Sequence, residues 1–259
     1  MPRLLLTVEY DGTDFAGFQS QKNGRTVQDE LNRALSKLYK EDIKVTGCSR
    51  TDAGVHARCH LSHLDVPFVI PEDRIPLAVN CDLPDDVKVR EALYVRPDFS
   101  ARFDITGKRY VYRIYNARTP SPLNDRYSYF CPYDLDISGM REAAVHFEGR
   151  HDFRAFCAAG GSQKTYDRLL YNVSVKPVNE NHIEIEVSGQ AFLYNMVRII
   201  AGTLLEVGCG NILPSEIPDI ISKGERANAG RTLPAKGLTL EEVFFDKEAA
   251  AEPISPQNS

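Results

Sequence analysis

The first apolar residues alternate. Leu4, Leu6, Val8 and Tyr10 fall on one side of an extended chain, which predicts a strand over 4–10. Asp11-Gly12-Thr13 supplies a turn, after which the period changes: Val27, Leu31, Ala34, Leu35 and Leu38 share one face of a helix predicted over 26–40. Short strands over 44–47 and 60–66, a helix over 72–81 and a strand over 87–93 follow. The second half repeats the theme with a strand over 109–116 and a helix over 137–147. Leu169, Tyr171, Val173 and Val175 then alternate, as do Ile183, Ile185 and Val187, and the polar run Val178-Asn179-Glu180-Asn181 between them predicts an antiparallel hairpin. A strongly apolar helix over 192–208, a shorter helix over 215–222 and a closing strand over 237–245 complete the pattern. Hairpins recur and no regular strand-helix alternation is present, so the pattern predicts an α+β fold with mainly antiparallel sheets.

A chain of 259 residues is long enough for two cores. The predicted division is an N-terminal α+β subdomain over 1–104, a C-terminal one over 105–247, and a disordered tail over 248–259, which is short, polar and proline-containing. No apolar run is long enough for a membrane span, and the N-terminal run is too short for a signal peptide. The six cysteines are scattered without Cys-x-x-Cys spacing, which predicts reduced thiols, no disulfide and a cytoplasmic location.

The formal net charge of -5 argues against a nucleic-acid partner until its distribution is considered. From Thr239 onward Glu241, Glu242, Asp246, Glu248 and Glu252 face a single cation, Lys247. Between Arg96 and Arg118 the balance reverses: Arg96, Arg102, Lys108, Arg109, Arg113 and Arg118 stand against Asp98 and Asp104, interleaved with Phe99, Phe103, Tyr110, Tyr112 and Tyr115. Cations mixed with aromatic rings suit RNA, because guanidinium and ammonium groups hold phosphates while rings stack on unpaired bases. A solvated strand with core tyrosines gives the same pattern.

The most informative stretch runs from Cys48 to His56, Cys-Ser-Arg-Thr-Asp-Ala-Gly-Val-His. Arg50 stands two residues before Asp52, and a nearby guanidinium keeps a carboxylate ionised. Gly54, two residues after it, lets a bulky ligand approach the backbone. A lone nucleophile or base needs both. Arg198 lies inside the most apolar helix, between Val197 and Ile199, where a guanidinium is rarely buried without a carboxylate; Asp52 is the candidate partner. Other chemistries fit less well. His56, Cys59, His60 and His63 have spacings that suggest zinc, but on a strand they point both ways. Asp11 and Asp14 could supply the second carboxylate of a glycoside hydrolase, without a setting that raises a pKa. A non-catalytic RNA-binding module explains the basic, aromatic stretch and leaves Asp52 and Arg198 without a task.

Residue for residue from Arg50 to His56, the loop resembles the catalytic loop of the tRNA pseudouridine synthases of the bacterial A type. Phe99-Ser100-Ala101-Arg102-Phe103 with Lys108-Arg109-Tyr110-Val111-Tyr112, Phe192-Leu193-Tyr194-Asn195-Met196-Val197-Arg198 and Pro234-Ala235-Lys236-Gly237-Leu238 are similar to that family's further motifs, in its order. The resemblance implies two RRM- or ferredoxin-like halves whose mainly antiparallel sheets meet at a central cleft. It implies Asp52 as the catalytic carboxylate, Tyr110 packing against the target uracil, Arg198 paired with the aspartate, Leu238 lining the pocket and Arg50 beside the flipped nucleotide. It further implies isomerisation of uridines 38, 39 and 40 in the anticodon stem-loop of tRNA, no cofactor or metal, and a homodimer. Attack at C1′, attack at C6 and removal of the 2′ proton all require the same ionised acid and stay open. Ser49 stands where the family has glycine, and Lys164-Thr165 where it has Arg-Thr; a lysine is a point charge and an arginine a planar fork, so the second difference bears on RNA affinity.

Overall fold

The computed structural model describes residues 1–161 and 164–252, and the chain divides into two units: Met1–Thr106 with the segment from Leu240, and Gly107–Thr239. The closing strand, expected in the second half, crosses back into the first.

In the first unit β1 (Arg3–Tyr10) leads into α1 (Val27–Tyr39), then β2 (Thr46–Gly47), β3 (His56–Asp65), α2 (Arg74–Asn80) and β4 (Val87–Val95). The order is β4-β1-β3, antiparallel throughout, with β2 also on β3. Leu4, Leu6, Val8 and Tyr10 are buried, as the alternation of β1 forecasts, and Leu5 on its other face is buried too. α1 buries Val27, Leu31, Ala34 and Leu35; at its last turn Tyr39 rather than Leu38 goes inward. Truncating one such leucine to alanine costs about 2–5 kcal/mol. Thr26 starts α1: its hydroxyl accepts from Asp29 N–H at 3.2 Å and donates to the Asp29 carboxylate at 2.6 Å.

The second unit runs through β5 (Gly107–Asn116), β6 (Tyr129–Cys131), α3 (Ile137–Val145), β7 (Gly149–Asp152), β8 (Asp167–Asn179), β9 (His182–Gly189), α4 (Met196–Gly208) and α5 (Ile217–Lys223). Its sheet has the order β5-β9-β8-β7, antiparallel, with β6 parallel on β5. β6 and β7, three and four residues long, carry no alternation that a sequence pattern could register. The expected hairpin is β8-β9, and Ile183, Ile185 and Val187 line its buried face. α4 is enclosed almost all round: Gly202 passes so close to the segment beyond α5 that a Cβ there would collide with Arg231 O. Within the helix Thr203 Oγ1 donates back to Ile199 O and accepts from Gly230 N–H, both at 2.9 Å.

The chain then returns to the first unit through β10 (Leu238–Phe244) and a short helix, α6 (Lys247–Ala250). The first residues of the expected disordered tail are therefore ordered. Ala250 is buried, its carbonyl accepts from Arg96 N–H at 2.9 Å, and Glu252 N–H donates to Tyr94 O at 3.0 Å; the rest of that tail lies outside the described residues. All six cysteines are free. Among the described residues no helix is long and apolar enough to cross a membrane. The architecture is mixed α/β with mostly antiparallel strands.

The far end of β3 is pinned by charge. Arg3 donates through Nε and Nη2 to both oxygens of Asp65 (2.8 and 2.9 Å) and through Nη1 to Phe99 O (2.9 Å). Beside this fork His63 accepts from Ala101 N–H at Nδ1 (3.1 Å). Burial, then the Arg3 charge, hold its pKa below the ordinary 6.5, with Asp65 and Asp104 opposing. The unfolded chain therefore takes up this proton first as pH falls below about 6.5, and folding stability drops until the folded imidazole also protonates. His63→Asn keeps an acceptor without the titration. The drop in urea midpoint between pH 7 and pH 5.5 should be smaller in His63→Asn than in the parent; an equal drop would show that His63 does not contribute.

Candidate active site

The loop from Gly47 to His56 joins β2 to β3, and its backbone is held from two directions within the first unit. On the strand side, Cys48 N–H donates to Leu61 O (2.8 Å) and His60 Nε2 donates to Ser49 O (3.0 Å), leaving Nδ1 to accept from the Ser62 hydroxyl (3.3 Å). On the other side lies the segment between β1 and α1. The Thr51 hydroxyl shares a 2.8 Å hydrogen bond with the Tyr10 hydroxyl, Thr51 O accepts from Phe18 N–H (3.2 Å), and Gly54 N–H donates to Phe15 O (3.3 Å). Gly17, at φ 103°, crosses so closely that a Cβ would lie 2.6 Å from Thr51 O. The Phe18 ring stacks on His60 at 3.9 Å between centroids, filling the space that Gly47 leaves by lacking a side chain.

Asp52 sits at the start of the loop's tightest turn. Its carbonyl accepts from Val55 N–H (3.1 Å), and Gly54 in the third position has φ 79°, the type II geometry that demands glycine. Thr51 and Val55 are buried while Asp52 is half-buried between them, so a fixed backbone presents a carboxylate that is partly accessible. Arg50 is exposed and forms no ion pair among the described residues. It is thus available to a ligand rather than being spent as the structural partner of Asp52.

Three of the expected site residues lie in the second unit. Tyr110, on β5 opposite Val187, is 7% exposed and meets Phe192 edge-on at 5.2 Å. Arg198 stands in the first turn of α4, which begins at Met196 and not at 192 as expected. The cause is Asn195, whose φ of 60° interrupts the helical path; asparagine tolerates this left-handed conformation better than most residues. Its side chain makes no helix cap and instead accepts from Arg198 Nη1 at 2.7 Å, while Arg198 Nε donates to Leu233 O at 2.7 Å. Two bonds from different edges fix the plane of the guanidinium. Past Leu233 the chain is anchored again by Tyr112, whose hydroxyl donates to Pro234 O (2.9 Å) and whose ring leaves no room for a Cβ on Gly237. Leu238 follows, 6% exposed.

Gly17 and Phe18 carry no signal in the sequence, Tyr10 reads only as a strand position, His60 only as a weighed zinc ligand and Asn195 only as part of a motif. Of the residues without an assigned role, only Asn195, an asparagine three residues before a half-buried arginine, carries a local signal. The histidines weighed as zinc ligands have other tasks: His56 Nδ1 accepts from Gly12 N–H (3.0 Å), His60 stacks on Phe18, and His63 holds Ala101. Among the described residues no three His, Cys, Asp or Glu side chains are grouped as metal ligands would be. Asp11, considered as a second carboxylate, closes a turn by accepting from the Thr13 N–H (3.0 Å) and hydroxyl (2.6 Å).

A clamped loop bearing one half-exposed aspartate, in a chain whose residues 6–104 and 143–246 match the family model described as tRNA pseudouridine synthase, places the protein: it belongs to that family. Among curated relatives it is similar to tRNA pseudouridine synthase A of Ruminiclostridium cellulolyticum, 46% identical over 245 residues, covering 95% of this chain and 100% of that protein. The protein of the same name from Acetivibrio thermocellus is also 46% identical over 95% of this chain and its own full length. That of Bacillus subtilis is 43% identical over 94% of this chain and 99% of its own.

Gly17→Ala tests the clamp. A side chain at positive φ, aimed at Thr51 O, should destabilise the protein by about 1–3 kcal/mol, read as a lower urea midpoint, and should reduce activity at temperatures where the variant is still folded. An unchanged midpoint would show that the loop moves aside freely.

Proposed function

We propose that this chain isomerises uridine to pseudouridine at positions 38, 39 and 40 of the tRNA anticodon stem-loop, in the cytoplasm and without a cofactor, with Asp52 as the catalytic carboxylate. The observation that carries the reading is the half-exposed Asp52 on a loop whose neighbours are fixed by hydrogen bonds from β1, α1's approach and β3. The reaction breaks the N1–C1′ bond, turns the uracil and joins C5 to C1′. It has no net redox change and needs no energy input, so an ionised carboxylate suffices as nucleophile or base. What the protein must supply is position. Preorganisation of the loop means that no ordering cost falls on the chemical step.

The remaining roles follow from the resemblance and agree with each residue's own setting. Arg198, its plane set by Asn195 and Leu233, is the proposed ion-pair partner that keeps Asp52 charged. Tyr110, a nearly buried ring steadied by Phe192, is the proposed surface against which the target uracil packs, and Leu238 a wall that retains the cleaved base. Arg50, exposed and free of a carboxylate, is proposed to meet the phosphate beside the flipped nucleotide. Extruding the uridine costs a few kcal/mol, least where stacking is already weak, as at a loop. The proposal includes two RRM-like halves meeting at a central cleft and a homodimer sharing one tRNA.

Two variants test this. Asp52→Asn should abolish pseudouridine formation while tRNA binding stays within about twofold; retained turnover, or lost binding with a folded protein, would contradict the assignment. Arg198→Lys keeps the charge but not the fork and should lower kcat by about two orders of magnitude. Unchanged kcat would remove Arg198 from the site.

A further inference from the structure

The segment Arg96–Asp104 holds a cation and a ring out to solvent on a rigid base. Phe103 is 79% exposed, the most exposed aromatic residue among those described, and the Arg102 guanidinium lies 5.5 Å from its ring centroid. The two arginines of the segment differ. Arg96 is tied to Asp98 at 2.8 Å and Asp104 at 2.6 Å, whereas Arg102 pairs with no carboxylate among the described residues. The backbone beneath them is fixed. Asp104 accepts from Ser100 N–H (2.6 Å), Phe103 and Asp104 N–H both donate to Ser100 O (3.1 and 2.9 Å), Ala101 N–H donates to His63, and Phe99 is buried edge-on to Phe245.

Leaving an aromatic ring in water forfeits its burial energy, and a flexible tip would at least recover entropy; this one is held rigid. A rigid ring with an unneutralised guanidinium beside it offers one face to an unpaired nucleobase and a charge to that nucleotide's phosphate, the two contacts by which proteins take single-stranded nucleic acid. The chain's acidic balance makes an unpaired cation at this position more specific than it would be on a basic protein.

We infer that Arg102 and Phe103 form a stacking platform for an unpaired base of the tRNA, separate from the target uridine. The separation follows from the strand. His63, which holds the platform's backbone, is seven residues along β3 from His56 at the catalytic loop, roughly 23 Å at about 3.3 Å per residue. The base stacked there is therefore a second nucleotide of the same RNA. The inference rests on the tRNA-modifying reading and adds a contact to it.

The chain contains no tryptophan, so Phe103→Trp installs a single reporter at the platform. Titration with an unmodified tRNA transcript should quench its emission saturably, and a blunt RNA duplex without unpaired bases should not. Phe103→Ala and Arg102→Ala should each weaken tRNA binding about tenfold, while Leu77→Ala, an exposed apolar residue with no cation beside it, should leave affinity unchanged. Equal quenching by duplex and tRNA, or unchanged affinity in both alanine variants, would overturn the inference. So would tryptophan emission that shifts with protein concentration in the absence of RNA, which would assign the surface to a second copy of the chain. Failure of the parent reading is distinct: it would appear as absence of pseudouridine from the wild-type reaction, whatever the quenching.

Discussion

Everything in the site depends on how Thr51 is held. Its hydroxyl is taken by Tyr10 at the end of β1, and its carbonyl and the space above that carbonyl by Phe18 and Gly17 of the segment linking β1 to α1. Thr51 is buried and Asp52 is its neighbour, so fixing one peptide unit fixes the root of the next side chain. A carboxylate on a freely moving loop would have to be ordered whenever it met a ligand, at about 1–2 kcal/mol per residue. Here that cost is met during folding, by a sheet and a helix that would pack in any case.

The second unit solves a similar problem by a different route. A guanidinium in the first turn of an apolar helix is costly unless its donors are satisfied. Asn195 and Leu233 satisfy two of them from within the unit, and the left-handed backbone at Asn195 is what turns the asparagine side chain toward Arg198 rather than toward the helix end. Tyr112 anchors the strand-entry segment at Pro234, so that the chain approaches Leu238 on a fixed path. Both units thus spend local irregularities, a positive-φ glycine in one and a left-handed asparagine in the other, on orienting a charged side chain.

Much of this was legible in the sequence because the long elements obey simple periods. β1, α1 and the β8-β9 hairpin announced themselves through alternation or a helical stripe. Asp52, Tyr110, Arg198 and Leu238 were legible as motifs. The short strands β6 and β7 were not, because three or four residues cannot establish a period, and α4 was read four residues too long because nothing in an apolar run marks a single left-handed residue. The ordered start of the tail was hidden for another reason: Ala249, Ala250 and Ala251 look like linker, and besides the bonds of the short α6 it is the long-range bonds of Ala250 with Arg96 and of Glu252 with Tyr94 that hold the segment. The clamp on Thr51 was illegible in principle, since Tyr10, Gly17 and Phe18 look like the end of a strand and an ordinary turn until the chain returns beside them.

The central claim is that a single positioned carboxylate makes pseudouridine in the anticodon arm. Its most direct measurement is nucleotide-resolution chemical mapping of pseudouridine in tRNA from cells with and without this protein. The account predicts that the modification is lost at positions 38 to 40 when the protein is absent and is kept elsewhere. Anticodon arms that are identical in the two preparations would contradict it.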